Sequence, residues 1–346
     1  MTKVINIGGI PLGGGSRITI QSMTNTDTSD VLATSAQIAA LKDAGCDIVR
    51  LAVCNLSDVQ ASKEIIKTTG LPLVADIQFD YKLAISSADV GYCAIRFNPG
   101  NIGSEKKVAE VVASCKKNKI PIRIGVNLGS LEKDIEAQFG RTANALVESC
   151  LRHVALLEKN NFCDIVLSIK ASDVAIMVDA NRQLAKKTNY PLHLGVTESG
   201  MGDYGLVKSA MGIGSLLLDG IGDTIRVSLT GNPVDEVIAA KLILKAVGKL
   251  KEGVEVISCP TCARCKVDLT HIVKDIAAYT KSMTTPLKVA IMGCVVNGPG
   301  EAKDATLCLC GAPDKCVLFE YGKIVKSVTH ETAVEEFKKL VDKHVK

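Results

Sequence analysis

Tryptophan is absent from these 346 residues, and aromatic side chains make up only 3% of them. So few flat faces leave little on which to stack bases. The net charge of +4 is mild and not gathered into runs, which excludes nucleic acid as a principal partner but leaves room for a small acidic molecule. No apolar run approaches the roughly 20 residues of a membrane-spanning helix. The opening stretch "MTKVINIGGIPLGGG" lacks both the long apolar segment of a secretory signal and the Arg/Ser-rich, acid-poor character of a transit peptide, so the expectation is a cytoplasmic enzyme. No GxGxxG follows the first β-rich run, which removes support for a dinucleotide fold. "GGIPLGGGS" before that run reads as a hairpin-like lead-in.

The chain is 47% hydrophobic, enough for one large domain and one small one. From Ile18 to about Gly248 it repeats one unit, a short β-rich run followed by a longer amphipathic segment. The runs are "ITIQSMTN", "DIVRLAV", "PLVADIQ", "CAIRFNPG", "PIRIGVN", "DIVLSIKAS", "PLHLGVTE" and "DTIRVSLT". Near-continuous Val/Ile/Leu strands between helices predict a parallel sheet buried on both faces. Eight such units predict a closed (β/α)8 TIM barrel, an α/β fold whose active site lies at the C-terminal ends of the strands. The late strand positions hold Arg50, Asp76, Arg96 with Asn98, Arg123 with Asn127, Lys170 with Ser172, Glu198, and Arg226 with Ser228. Five cations against two carboxylates at one mouth predict a site for a compact polyanion, with a diphosphate the natural size.

Thirteen cysteines in a chain expected to be cytosolic argue against structural disulfides. Cys46, Cys54, Cys93, Cys115, Cys150 and Cys163 fall at apolar positions and are expected to pack as small hydrophobes. The other seven lie between Cys259 and Cys316, a density that predicts a metal centre in a small α+β domain starting near Leu250. Spacing favours an iron–sulfur centre built from the run "CPTCARC" (Cys259, Cys262, Cys265) and completed by Cys294. The pair Cys308 and Cys310 keeps a structural zinc site open as the alternative.

The motifs "QSMTNT", "VADIQFDYKLA", "IRFNPGNIG", "IPIRIGVNLGSLEKD", "IKASDV", "PLHLGVTE", "GIGDTIRVSL", "CPTC" and "MGCVVNGPGEA", in this order from about Val4 to Glu301, closely resemble the 4-hydroxy-3-methylbut-2-enyl diphosphate synthase (IspG/GcpE) family. The resemblance implies a TIM-barrel substrate domain over residues 1–250. Over residues 251–346 it implies a smaller α+β iron–sulfur domain resembling a sulfite/nitrite reductase module. It implies a [4Fe–4S] cluster on Cys259, Cys262, Cys294 and Glu301, which leaves Cys265, Cys308, Cys310 and Cys316 without a ligand role. A carboxylate ligand is exchangeable, as a catalytic cluster requires.

The resemblance also implies the substrate, 2-C-methyl-D-erythritol 2,4-cyclodiphosphate, opened reductively in the non-mevalonate isoprenoid pathway. Arg50, Arg96, Arg123, Lys170 and Arg226 match the family's positions at the diphosphate, with Asn127, Thr197 and Ser228 as hydrogen-bond partners. Asp76 and Glu198 match its carboxylates near the carbon skeleton, with Glu198 as proton donor, and Asn297 lies in the loop that reaches substrate. Ferredoxin or flavodoxin is the implied electron donor. A homodimer in which the cluster domain of one chain caps the barrel of the other is the implied assembly. Gln78 departs from the family's usual histidine, and "GMGDYG" after Glu198 differs from related sequences. Two rivals are a phosphate-binding barrel lyase or transferase of pterin-synthase type with a zinc domain, and a non-catalytic iron–sulfur or zinc sensor.

Overall fold

Side chains that cap helices punctuate the first part of the chain. Asp30, Asn55, Asp80, Ser104, Thr142, Asp173 and Asn232 each accept a backbone N–H from the first turn of the helix that follows. Each cap ends one strand-to-helix connection, so the repeat seen in the sequence is set locally, unit by unit. The computed structural model describes every residue except Asn297 and Lys346, and only the backbone of Pro299 and Ala302. It divides into two compact units, Met1–Lys249 and Leu250–Lys346.

In the first unit an antiparallel pair, β1 (Ile5–Ile7) and β2 (Ile10–Leu12), precedes eight parallel strands. These are β3 (Thr19–Met23), β4 (Ile48–Ala52), β5 (Leu73–Asp76), β6 (Ala94–Phe97), β7 (Ile122–Asn127), β8 (Ile165–Lys170), β9 (His193–Leu194) and β10 (Thr224–Ile225). The hydrogen-bonded order is β8-β7-β6-β5-β4-β3-β10-β9, and a parallel bridge between Leu167 and Leu192 closes the ring. This is the expected (β/α)8 barrel. Ile5, Ile7 and Leu12 of the lead-in hairpin form one buried cluster with Ile48, Val74, Ala94 and Val166, which lie at the starts of four barrel strands. The hairpin therefore packs the floor of the barrel with hydrocarbon.

The last two barrel strands are shorter than the runs "PLHLGVTE" and "DTIRVSLT" predict. β9 leaves the ladder at Gly195, where a Cβ would come within 2.5 Å of the Arg226 carbonyl and 2.7 Å of Lys170 Nζ. Space for a side chain entering from β8, rather than strand pairing, governs this end.

The second unit is a five-stranded sheet of β11 (Val254–Ser258), β12 (Leu287–Met292), β13 (Leu307–Gly311), β14 (Cys316–Glu320) and β15 (Lys323–Val328), in that order. The first three are parallel and the last three antiparallel. The run "CVLFEYGKIVKSV" splits at Tyr321 and Gly322, whose φ values of 48° and 75° are those of a two-residue hairpin turn. Helices Leu269–Thr280 and Ala333–Asp342 bury Ile272, Ile276, Phe337 and Leu340 with Val289, Leu307 and Leu309. The opposite face carries Ala290, Met292, Cys308 and Cys310, against which the short helix Gly298–Asp304 packs.

Of the six scattered cysteines, Cys46, Cys115 and Cys150 are buried as expected, and Cys93 is half-buried. Cys54 and Cys163 are exposed, against expectation. Both lie outside the strands, Cys54 two residues beyond β4 and Cys163 two residues before β8. Among the described residues no helix is long and apolar enough to cross a membrane.

Candidate active site

Side chains two residues apart on a strand share a face. Ser168 and Lys170, Arg96 and Asn98, and Arg226 and Ser228 therefore enter the barrel as pairs. With Arg50, Gln78, Asn101, Asn127, Ser130 and Thr197 they line a cavity of about 220 Å³ at the C-terminal ends of the strands. Gly125 makes this possible: a Cβ there would lie 2.4–2.8 Å from the Arg96 guanidinium. Asn98 Nδ2 donates to Ser130 Oγ at 3.1 Å and so ties the loop after β6 to the loop after β7.

The cations are held by two buried carboxylates. Asp76 is 3.5 Å from Arg50 Nε and 2.9 Å from Arg96 Nη1. Burial pushes its carboxyl up, but Arg50 and Arg96 outweigh that and hold its pKa below the ordinary range. Asp76 does not line the cavity and is the counter-ion of Arg50 and Arg96. Burial, set against the pull of Asp76, brings Arg50 down to about 10, still charged at neutral pH. Glu236, on helix Pro233–Ala246, was not singled out in the sequence. Its carboxylate accepts from Arg226 at 3.2 and 3.3 Å, from Ser22 Oγ at 3.0 Å and from the Leu229 N–H at 3.1 Å. Reading strand ends alone missed it because it comes from a helix behind the strands.

Arg123 is the second residue of β7 rather than a late one, and it is 3% exposed. It lies one pleat deeper than Gly125, which registers with cavity-lining Ser168. Nη1 donates to Gln21 Oε1, while Nε and Nη2 are buried without a partner. His193 shares this layer, with Nδ1 3.3 Å from Thr224 Oγ1 and Nε2 unpartnered. Burial, then Arg123, Lys170, Arg50 and Arg226, hold His193 well below the usual histidine range, so it is neutral. Its position one pleat below Gly195 was legible in "PLHLG" only through the alternation.

Glu198 is exposed, does not line the cavity and has φ of 53°, a left-handed conformation rare for a side chain of its kind. Its loop is fixed on both sides. The Thr197 N–H donates to Ala171 O at 3.2 Å, Ser199 Oγ donates to Ser228 O, and the Thr230 N–H donates to Gly200 O at 3.0 Å. Ser172 is exposed, and Asn297 lies outside the described residues. A larger cavity, about 590 Å³, opens near Arg17, Tyr190 and Asp223 at the other end of the barrel. Two of its charged groups are already engaged, Arg17 with Asp47 at 2.6 Å, and Asp223 with Thr2 Oγ1 and the Leu192 N–H, both at 2.8 Å, and it gathers no cluster of cations. The polar chemistry lies at the smaller one.

In the second unit the parallel strands β11 and β12 end at the same edge, Cys259 directly after the first and Cys294 two residues after the second. The Lys266 N–H donates to Gly293 O at 2.9 Å and the Gly293 N–H donates to Cys259 Sγ at 3.2 Å, joining the two loops. Cys262 is exposed, and the backbone N–H and then the side chain of Arg264 lower its pKa. Glu301 stands in the first turn of helix Gly298–Asp304, between β12 and β13. The remaining cysteines are occupied or protonated. Burial pushes Cys308 up to about 12 and Cys310 and Cys316 up to about 11. Cys310 Sγ donates to Cys294 O at 3.1 Å, and Cys265 Sγ donates to Val267 O at 3.2 Å. Cys265 packs under Gly293 and Cys310 under Gly298, so closely that a Cβ on either glycine would strike the sulfur. Among the described residues no three ligand-type side chains converge at metal-binding distance. The donor set at this edge, three accessible sulfurs and a carboxylate, fits an iron–sulfur group in chemistry.

Two family descriptions match the chain: "GcpE TIM-barrel domain" over residues 2–241 and "GcpE protein C-terminal domain" over residues 255–343. The chain is 52% identical over 342 residues to the 4-hydroxy-3-methylbut-2-en-1-yl diphosphate synthase (flavodoxin) of Clostridium perfringens, covering 99% of this chain and 98% of that protein. A protein of the same name from Caldanaerobacter subterraneus subsp. tengcongensis is 52% identical over 347 residues, covering 100% and 98%. The 3-dehydroquinate dehydratase of Geobacillus kaustophilus superimposes with a TM-score of 0.51 at 12% identity, over 71% of this chain and 99% of that one, a likeness of fold alone.

Proposed function

The chain belongs to the GcpE family, and from that premise we propose how its residues divide the work of the family's reaction. It is a flavodoxin-dependent oxidoreductase that converts 2-C-methyl-D-erythritol 2,4-cyclodiphosphate to 4-hydroxy-3-methylbut-2-enyl diphosphate. The observation that carries the division is the 220 Å³ cavity, with Arg50, Arg96, Lys170 and Arg226 on its wall and Arg123 beneath it.

In this account the cations hold the diphosphate, and Asn127, Thr197 and Ser228 orient it. Asp76 and Glu236 aim three of the guanidinium groups by fixing them before substrate arrives. Glu198 donates the proton with which the departing hydroxyl leaves as water. Its left-handed backbone supports this role, because strain of that kind is kept where a side chain must be aimed. Asn297 is carried over from the family resemblance as a further substrate-binding residue. Cys259, Cys262, Cys294 and Glu301 would hold a [4Fe–4S] cluster, which would supply the reducing electrons that flavodoxin provides. Residues 1–250 and 251–346 are the two functional domains, and the enzyme works in the cytoplasm.

Glu236→Ala should release Arg226 without touching substrate. Steady-state kinetics should show kcat/KM down roughly 10-fold or more, the value of a charged hydrogen bond of about 1.5–3 kcal/mol. Unchanged kinetics would remove Glu236 from the positioning role.

Glu301→Gln keeps the shape of the side chain but removes the charge that iron prefers. Partial conversion toward a three-iron cluster in air, a changed EPR signal and strongly reduced turnover are expected with normal folding. Wild-type EPR and rates would return Glu301 to an ordinary surface carboxylate.

The homodimer has support from one face of the barrel. Tyr204, Val207, Met211 and Leu218 form an exposed stripe along helix Gly202–Leu218, and Ile238 and Leu242 extend it on the neighbouring helix Pro233–Ala246. Exposed apolar side chains gathered on two neighbouring helices mark an association surface. In the assembly each cluster domain caps the barrel of the other chain. Met211→Glu should shift the sedimentation coefficient toward monomer, and an unaltered dimer would move the interface elsewhere.

A further inference from the structure

Asp76 and Glu236, the buried carboxylates beside the cavity's cations, are engaged by Arg50, Arg96 and Arg226, and Lys170 has none. It is 8% exposed, and among the described residues it donates no hydrogen bond and meets no carboxylate within ion-pair distance. Gly195 lets its ammonium lie against the β9 backbone, where a Cβ would sit 2.7 Å from Nζ. The charged groups around it come from every neighbouring element. They are Arg226 of β10 with Glu236 behind it, Arg50 of β4, Asp76 of β5, Arg96 of β6 and Arg123 of β7, with neutral His193 on β9. Asp76 is shared by Arg50 and Arg96, and Glu236 is taken by Arg226, Ser22 and the Leu229 N–H. Five cations thus face two carboxylates, leaving three positive charges without a counter-ion. Guanidinium groups keep their protons in proteins, whereas a buried ammonium can release its own. Burial first, and then Arg226, Arg50, Arg123 and Arg96, push Lys170 well below the ordinary lysine range.

We propose that Lys170 is a neutral amine in the free enzyme and takes up a proton as negative charge grows in the cavity. The inference rests on the function proposed above. In that reaction the C2–O bond to the diphosphate and the C3–O bond break, and a C2–C3 double bond forms. Two electrons enter from the reduced donor, and one proton goes to the departing hydroxide to give water. The cyclic substrate is a dianion and the fully ionised linear product a trianion. With Lys170 neutral the pocket carries two uncompensated positive charges, and with Lys170 protonated it carries three. The same side chain therefore matches both ends of the reaction, and it returns its proton when the product leaves.

The test is calorimetric titration of the full-length enzyme with inorganic diphosphate at pH 8, in two buffers of different ionisation enthalpy. Wild type should take up about one proton more per diphosphate bound than Lys170→Arg, which is charged throughout, or Lys170→Met, which never is. A merely structural lysine would not move this number. Binding with equal proton uptake in all three proteins would overturn the proton role while leaving the anion site intact. No binding of diphosphate to any of them would overturn the anion site itself, and this inference with it.

Discussion

Serine in place of Cys259, Cys262 or Cys294 should remove most of the bound iron and essentially all turnover from anaerobically prepared protein, each substitution alone sufficing. Cys265→Ala should leave both near normal. Spacing alone puts Cys265 in a ferredoxin-like CxxCxxC run. The structure instead turns its thiol toward Val267 O and packs it under Gly293. Cys262 receives N–H donation that favours thiolate, a ligand's requirement, and Cys259 Sγ accepts the Gly293 N–H at the strand edge. Full loss of iron in Cys265→Ala would show that the run, rather than the strand-edge arrangement, defines the site.

The second large effect is at Arg123, and it has opposite signs for activity and stability. Two of its nitrogens are buried without partners, and its neighbours Arg50 and Arg96 are also cations. In the free enzyme such a charge is a cost, because burial strips its water and nothing replaces it. Arg123→Met should therefore leave the melting temperature unchanged or raise it. Loss of this charge from beneath the anion, about 1.5–3 kcal/mol if it counts as one charged hydrogen bond, should lower kcat/KM by roughly 10-fold or more. A large fall in melting temperature with kinetics unchanged would make Arg123 a structural residue of the barrel.

Much of this arrangement is written locally. The eight Val/Ile/Leu runs and their capping residues predict the barrel, because burial on both faces leaves a strand no polar alternation. The cavity pairs follow from the two-residue period, which places Lys170 with Ser168 and Arg96 with Asn98. What the period cannot convey is depth. Arg123 and Arg96 look alike on paper and are register partners across β6 and β7, yet β7 runs four residues beyond Arg123 while β6 ends one residue after Arg96, so Arg123 is covered and Arg96 reaches the cavity. Nor can strand positions reveal Glu236, which reaches Arg226 from a helix ten residues on. Strand ends set five cations beside Asp76 and Glu198; in the structure the carboxylates that pair with the cations are Asp76 and Glu236, while Glu198 is exposed. Among the cysteines, spacing carried little. Backbone donors, glycine contacts and burial distinguish Cys259 and Cys262 from Cys265, Cys308, Cys310 and Cys316, and all of these are properties of the folded chain.

Iron and acid-labile sulfide, measured per chain on protein purified without oxygen, address the central claim most directly. The cluster predicts about four of each, a brown solution and absorption near roughly 400 nm that bleaches on reduction. One tightly bound zinc per chain, with no sulfide and no colour, would contradict it.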